Sequence, residues 1–183
     1  MFAGLILIPA VRKDRDTEFR RWYHWSSGYA KQLGFPGRSL LEERGGGGYA
    51  ILEEHACYEH LLAMLNNPFR QLAERRLAPL LEGNAVSRFY YTMLNREANG
   101  VARFVDLVFF PPLREGKDIE FRQWFWRSGA SFHRRRLLWP LEGGNYAAVM
   151  EHDGRRDLAR GEAREWGCPL LDGNPCPRFF ETV

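Results

Sequence analysis

Cysteine is scarce in this sequence, and its few cysteines have no metal-binding spacing. Cys57, Cys168 and Cys176 are odd in number and irregularly placed, and no CxxC-like pair occurs. An odd, irregular set argues against a disulfide scaffold, and a structural zinc site needs closely spaced ligands. We therefore expect reduced thiols, no bound metal and a cytoplasmic location.

Long apolar segments and a strong excess of one charge are also missing. The first apolar run, residues 1–11, is shorter than the roughly 20 residues that cross a bilayer. The basic residues Arg12 and Lys13 follow this run, whereas a secretory leader carries them in front. Lys and Arg number 26 against 23 Asp and Glu, in short clusters, whereas a nucleic-acid-binding surface needs a longer basic stripe. We expect a soluble protein whose partners include neither a membrane nor nucleic acid.

Common catalytic signatures are absent as well. The sequence has no Ser-His-Asp order, no HExxH, no Walker loop and no GxGxxG fingerprint, which removes the usual sequence arguments for several enzyme classes. The glycine run 45–48 is followed by neither lysine nor a predicted helix. We interpret it as a hairpin turn, where glycine adopts positive φ freely.

What the sequence does contain is an internal repeat. The segment Phe19-Arg-Arg-Trp-Tyr23 returns as Phe121-Arg-Gln-Trp-Phe125. Three blocks align in the same order in both halves: residues 2–22 over 104–124, 38–55 over 135–152, and 79–89 over 169–179. Ordered self-similarity of this kind indicates two copies of one structural unit. We predict two domains, residues 1–95 and 101–183, joined by a polar linker.

Each copy reads as β-α-β-β-α-β, which predicts an α+β fold of tandem ferredoxin-like repeats. Short apolar runs that stop at proline, such as Leu5–Ile8, are typical of strands. Phe19, Trp22 and Tyr23 begin an apolar stripe with helical spacing. A second helix is predicted from Tyr58 to Arg76, and its counterpart near residues 157–166 is shorter and has almost no apolar stripe. One face of each sheet still needs cover, and we expect the two sheets to cover each other.

The sequence resembles antibiotic biosynthesis monooxygenase-like domains of the dimeric α/β-barrel group. The resemblance is carried by the order of elements, the F-x-x-W-(Y/F) helix, Gly34-Phe-Pro-Gly-Arg38 followed by Leu40-Leu41, and Asn66-Asn-Pro68 before Arg70-Gln-Leu72. It covers nearly the whole chain as two fused domains. It implies two antiparallel sheets packed as an intramolecular dimeric α/β-barrel, with a pocket in each domain between sheet and helices. Members include cofactor-free oxygenases of polycyclic aromatics, haem-degrading enzymes and proteins of no known activity, and the fold does not choose among them.

The resemblance also suggests site residues on the second helix. Asn66 matches the asparagine of the cofactor-free oxygenases, but the tryptophan expected nearby is replaced around Leu62 and Met64. The haem-degrading members carry a histidine on this helix, and the matching place in this sequence, near Phe69, has no histidine. His60 lies earlier on the same predicted helix.

Other candidates come from the residues themselves, and each has a structural alternative. His55 ends the third strand and could act as a general base, or it could hydrogen-bond locally or face water. Trp22 could line a pocket or simply pack in the core. Arg88, before the last strand, could hold an acidic ligand or form a salt bridge with Glu82.

These observations lead to one predicted function and two alternatives. We predict that the first copy binds a small hydrophobic or aromatic molecule and could oxidise it with dioxygen, without a built-in cofactor, while the second copy is structural. The alternatives are a non-catalytic ligand-binding or scaffold protein, and a haem-binding or haem-degrading protein. The fused pair could also form a homo-oligomer. Trp22, Tyr49 and Met64 are predicted to shape the pocket. Asn66 and Arg88 are predicted to orient the ligand, and His55 and His60 to transfer protons.

Overall fold

A computed structural model describes residues 1–35, 37–97, 102–127, 134–153 and 168–183, without the side chains of residues 96 and 97. The chain forms two compact units, Met1–Tyr90 with Val183 (unit 1) and Tyr91–Thr182 (unit 2). The division falls inside a long strand, before the polar segment that we predicted as the linker. Residues 98–100 of that segment lie outside the described residues.

Unit 1 has the predicted order of strands, with one more helix than expected. Its elements are β1 (Phe2–Ile8), α1 (Asp16–Gln32), β2 (Arg38–Glu43), β3 (Tyr49–His55), α2 (Tyr58–Leu65), α3 (Pro68–Leu77), a 3-10 turn (Ala78–Leu80) and β4 (Val86–Glu97), which continues into unit 2. In the sheet of unit 1 the order is β4-β1-β3-β2. Strand β3 is antiparallel to both β1 and β2, as in a ferredoxin-like unit.

Helix α1 packs on the sheet through the stripe that the sequence predicted. Its buried residues are Phe19, Trp22, Tyr23, Ser26 and Ala30, which follow the i, i+3, i+4, i+7, i+11 spacing of one helix face. Phe19, Trp22 and Tyr23 join Ile8, Leu40, Ile51 and Leu81 in one apolar core. The core of unit 1 therefore lies between its sheet and its helices.

The prediction of a single helix from Tyr58 to Arg76 is wrong, because the structure has two helices there. Helix α2 ends at Leu65 and α3 begins at Pro68. Pro68 has no backbone N–H to donate inside a helix and suits the first helical position instead. Asn67 caps α3, since its side-chain oxygen accepts a hydrogen bond from the backbone N–H of Phe69 at 2.9 Å.

Unit 2 repeats the strand order of unit 1. Its elements after β4 are β5 (Phe104–Phe109), α4 (Asp118–Arg127), β6 (Arg134–Pro140), β7 (Ala147–His152) and β8 (Cys176–Thr182), in the sheet order β8-β5-β7-β6. The register is also repeated: Leu5 lies opposite Leu52, and Leu107 lies opposite Val149. The predicted short helix near residues 157–166 lies outside the described residues. The α+β fold class with ferredoxin-like units is confirmed.

Among the described helices, none combines the length and the apolar character that crossing a bilayer requires.

Candidate functional site

Unit 1 contains a cavity of about 530 Å³ between its sheet and its helices. This volume is in the range of small-molecule sites. The wall is mostly apolar and has four aromatic side chains, Trp22, Phe35, Phe69 and Phe89, with Ile6, Met64, Ala73, Leu77 and Leu81 between them. Such a wall suits a small ligand with a flat apolar body.

One part of the wall is polar and buried. Arg38 begins β2, and Glu53 and His55 lie on β3 two residues apart, so their side chains share one face of the sheet. Arg38 Nε lies 2.7 Å from Glu53 Oε1, and His55 Nε2 lies 3.8 Å from Glu53 Oε2. The side chains of Glu53 and His55 are only 6% and 1% exposed. We call these three residues the polar cluster.

The polar cluster has hydrogen-bonding capacity left over. Among the described residues, neither ring nitrogen of His55 has a hydrogen-bond partner, and neither does Glu53 Oε2. Leaving a buried polar group unsatisfied costs about 1–3 kcal/mol. A ligand or water in the cavity would remove that cost, so the cluster is a place where a bound molecule can be held.

The charge state of Glu53 depends on its neighbours. Burial raises the pKa of Glu53, but the adjacent His55 imidazole and the Arg38 guanidinium outweigh burial, and the resulting pKa lies below the ordinary value. Glu53 is therefore ionised at neutral pH. It supplies a negative charge beside His55.

The other charged residues of the wall are paired. Arg70 Nε donates to Glu74 Oε1 at 2.8 Å, and the Arg70 guanidinium also lies 5.3 Å from the centroid of the Phe89 ring. With Arg38 and Glu53, the wall has two guanidinium groups and two carboxylates, each next to an opposite charge. Because the positive and negative charges of the wall already neutralise each other, the cavity suits an uncharged ligand better than an anion.

Three of the predicted site residues line the cavity. They are Trp22, His55 and Met64. Trp22 is 8% exposed, and its indole Nε1 donates to the backbone oxygen of Ala73 at 2.9 Å. The Trp22 side chain therefore both packs in the core and lines the cavity.

Four of the predicted site residues lie outside the lining of this cavity. Tyr49 is buried in the core, and its hydroxyl donates to Asp16 Oδ1 at 2.6 Å. His60 and Asn66 are exposed, on and just after α2. Arg88 is exposed on β4 between Ser87 and Phe89, which both line the cavity, so it faces the other side of the strand. Their roles in ligand binding stay predictions.

Arg38, Glu53 and Asn67 line the cavity but were not among the site residues predicted from the sequence. A signal for Glu53 was present, because a residue two positions before His55 on a strand must share its face. Asn67 lines the cavity directly beside the predicted Asn66. Nothing in the sequence pattern indicated that Arg38 would reach Glu53 from the neighbouring strand.

The equivalent positions in unit 2 are arranged differently. His152 matches His55 in the repeat, and its Nε2 lies 3.2 Å from Asp106 Oδ1. Asp106 takes the position of Gly4, and Met150 takes the position of Glu53. Among the described residues, a carboxylate thus lies beside each buried histidine: Glu53 of β3 in unit 1 and Asp106 of β5 in unit 2.

Within the part of the chain that the structure describes, no three His, Cys, Asp or Glu side chains are grouped to hold a metal ion.

Comparison with known proteins relates the chain to solved structures. No family model and no curated protein sequence matches the chain. A candidate monooxygenase from Fusobacterium nucleatum subsp. nucleatum is 13% identical with a TM-score of 0.72, covering 100% of this chain and 92% of its own. An anthrone oxidase-like protein is 10% identical with a TM-score of 0.68, covering 100% and 91%. A haem-degrading enzyme from Listeria monocytogenes is 8% identical with a TM-score of 0.58, covering 100% of both chains.

These likenesses concern the fold. The chain has the ferredoxin-like fold found in proteins related to antibiotic biosynthesis monooxygenases, over its whole length. The predicted resemblance is confirmed at that level. At this identity the fold alone does not decide the reaction.

Proposed function

We propose that the chain binds a small hydrophobic or aromatic molecule in the cavity of unit 1 and oxidises it with dioxygen, without a built-in cofactor. The observation that carries this proposal is the cavity itself, with four aromatic side chains and a buried polar cluster in one wall. An apolar pocket with a few convergent polar groups is the usual form of a small-molecule site.

The proposal also draws on the compared structures. Two of them have names that refer to a monooxygenase and to an anthrone oxidase, and anthrone is a flat tricyclic molecule. A flat ligand of that type would match the aromatic wall. We further propose that the chain acts in the cytoplasm, because its three cysteines are unpaired.

The second candidate is binding without catalysis. It is favoured by Asn66, which matches the oxygenase asparagine by sequence but is exposed and outside the cavity. Leu62, near the expected tryptophan, is also exposed. A ligand that stabilises the protein without oxygen uptake would support this candidate over the oxygenase.

Haem binding is the third candidate, and it fits the cavity less well. His55 has unpartnered ring nitrogens that could ligate iron. A haem also carries two propionates that need cations, whereas Arg38 and Arg70 of the wall already face carboxylates. A shift and sharpening of the Soret band of haemin when the protein is added would favour haem.

The deciding experiment is a thermal-shift screen with polycyclic quinols and quinones, small aromatic acids and haemin. A ligand at 100 times its dissociation constant adds about 2.7 kcal/mol of stability, which is about 5–11 °C for a chain of this size. Oxygen uptake with a stabilising ligand then separates the oxygenase from the binder.

A matched variant makes this screen specific to the cavity. Ala85 lines the cavity and is partly buried, so Ala85→Trp would fill it from the edge. We expect Ala85→Trp to abolish the ligand-induced shift. An equal shift in wild type and variant would show that the ligand binds elsewhere and would contradict the proposal.

A further inference from the structure

The histidine in the cavity wall is buried but not satisfied by the protein. His55 is 1% exposed, and both of its ring nitrogens lack hydrogen-bond partners among the described residues. Buried side-chain nitrogens nearly always have a partner. Because His55 lines the cavity, the missing partner can be supplied by a molecule bound there.

The fold does not require this arrangement. In unit 2 the equivalent histidine, His152, is 0% exposed and lies 3.2 Å from the carboxylate of Asp106. The same strand position can thus be satisfied inside the protein. Unit 1 has Gly4 where unit 2 has Asp106. Strand β1 therefore offers no carboxylate to His55, and the His55 ring nitrogens can bond to a ligand.

A carboxylate lies beside His55 in the cavity wall. Glu53 is ionised, with Oε2 3.8 Å from His55 Nε2. Arg38 contacts the other carboxylate oxygen at 2.7 Å and fixes its orientation, and Arg70 and Glu74 of α3 line the same cavity as a pair. A carboxylate close to an imidazolium in a water-poor site stabilises it more than it would in water.

We propose that His55 is the proton acceptor of the cavity, that Glu53 is its positioning residue, and that the ligand is an aromatic molecule with an acidic hydroxyl group. The ligand O–H bond breaks, and the proton forms an N–H bond at a ring nitrogen of His55. The electron pair stays on the ligand oxygen as an aryl oxide, and Glu53 balances the imidazolium charge. This inference rests on the proposed function, because it needs an aromatic ligand in the cavity.

The test uses 4-nitrophenol, whose anion is yellow, and 4-nitroanisole, an ether of similar shape that has no hydroxyl proton. Difference absorption spectra are recorded at a pH where free 4-nitrophenol is mainly protonated. We expect both probes to bind to the wild-type protein. Only bound 4-nitrophenol should show the anion band, at a pH where the free probe does not.

Three variants assign the proton acceptor. His55→Asn should abolish the anion band while the affinity for 4-nitroanisole stays within about threefold, since the ether makes at most one weak polar contact. Glu53→Met, which copies Met150 of unit 2, should reduce the proton-transfer equilibrium about tenfold or more, because it removes an opposite charge close to the imidazolium. His152→Asn, the matched control, should keep the wild-type spectrum.

The outcomes separate this inference from the proposed function. An anion band that survives in His55→Asn, or bound 4-nitrophenol that stays neutral in the wild type, overturns the inference while the aromatic site stands. Failure of both probes to bind overturns the aromatic site and the inference together. If His55→Asn does not fold, Glu53→Gln decides instead, and an unchanged anion band there contradicts the role of Glu53.

Discussion

Gly4 and Glu53 lie opposite each other on β1 and β3, and a methyl group on Gly4 would come within 2.9 Å of Glu53 Oε2. The absence of a side chain at Gly4 makes room for the buried carboxylate. The ring of Phe89, another wall residue, would be 3.3 Å from the same methyl group. This pair explains how a glutamate fits beside His55 inside the unit.

The first prediction concerns Gly4→Ala. Because Glu53 is held by Arg38 and cannot move freely, we expect overpacking that costs about 1–3 kcal/mol, a loss of about 2–12 °C in melting temperature. Calorimetry measures the loss. Gly28→Ala is the comparison, since nothing lies within 4 Å of a methyl group there, and alanine inside α1 should raise the melting temperature instead. Equal melting temperatures for wild type and Gly4→Ala would show that the carboxylate has room to shift.

The second prediction separates Tyr49 from the ligand site. Tyr49→Phe removes a hydroxyl that donates to Asp16 and accepts from Arg20 Nη2 at 3.2 Å. We expect a loss of about 1–2 kcal/mol, or about 2–8 °C, with unchanged ligand affinity because Tyr49 lies outside the cavity lining.

Unit 2 supplies the matched variant for this test. Tyr146 donates to Asp118 Oδ1 at 2.5 Å and accepts from Arg122 Nε at 2.8 Å. Tyr146→Phe should destabilise the protein by a similar amount. A loss of ligand affinity in Tyr49→Phe alone would instead support the predicted role of Tyr49 in the site.

The third prediction is a loss of stability in acid that depends on Glu53. Its folded pKa lies below the ordinary value of 4.5, so the stabilisation is present above pH 4.5 and is lost as pH falls through the folded pKa. One such group changes the free energy of unfolding by at most about 1.4 kcal/mol per pH unit. Melting temperatures of wild type and Glu53→Gln between pH 6 and 3 should show a shallower decline for the variant. Parallel curves would contradict the assignment.

The fourth prediction compares the neighbours Asn66 and Asn67. Asn66→Ala changes an exposed side chain outside the cavity lining, and we expect ligand affinity within about twofold of wild type. Asn67→Ala removes the cap of α3 and should cost about 0.5–2 kcal/mol, with weaker binding because Asn67 and the first turn of α3 line the cavity. Ligand titration of both variants checks this. Loss of turnover in Asn66→Ala would support the role that the family resemblance gave it.

Much of the fold was readable from the sequence because its signals are local. The stripe of Phe19, Trp22 and Tyr23 depends only on helical spacing, and it is buried as expected. The repeat then transferred each assignment from one copy to the other. The break between α2 and α3 was also signalled locally, by Asn67 and Pro68, but the apolar residues on both sides favoured one continuous helix.

The site was less readable because it depends on pairs that are distant in the sequence. Glu53 on β3 contacts Arg38 on the neighbouring β2 and faces Gly4 on the neighbouring β1, and no spacing rule connects these three positions. The alignment of the copies pairs Glu54-His55 with Glu151-His152, and of these residues only the histidine is a predicted site candidate. The decisive difference, Glu53 against Met150, is a mismatch in that alignment, and a search for repeated residues passes over it.

The exchange of the buried acid between the two units has a consequence for how sequence can change here. Converting Gly4 and Glu53 into the Asp106 and Met150 arrangement takes two substitutions. If aspartate comes first, two carboxylates crowd one site; if methionine comes first, Arg38 and His55 lose their only close buried acid among the described residues. Neither intermediate is neutral, so single steps that cross between the two arrangements are disfavoured. Each half is therefore confined to its own variant of the buried site, however similar the remaining sequences become.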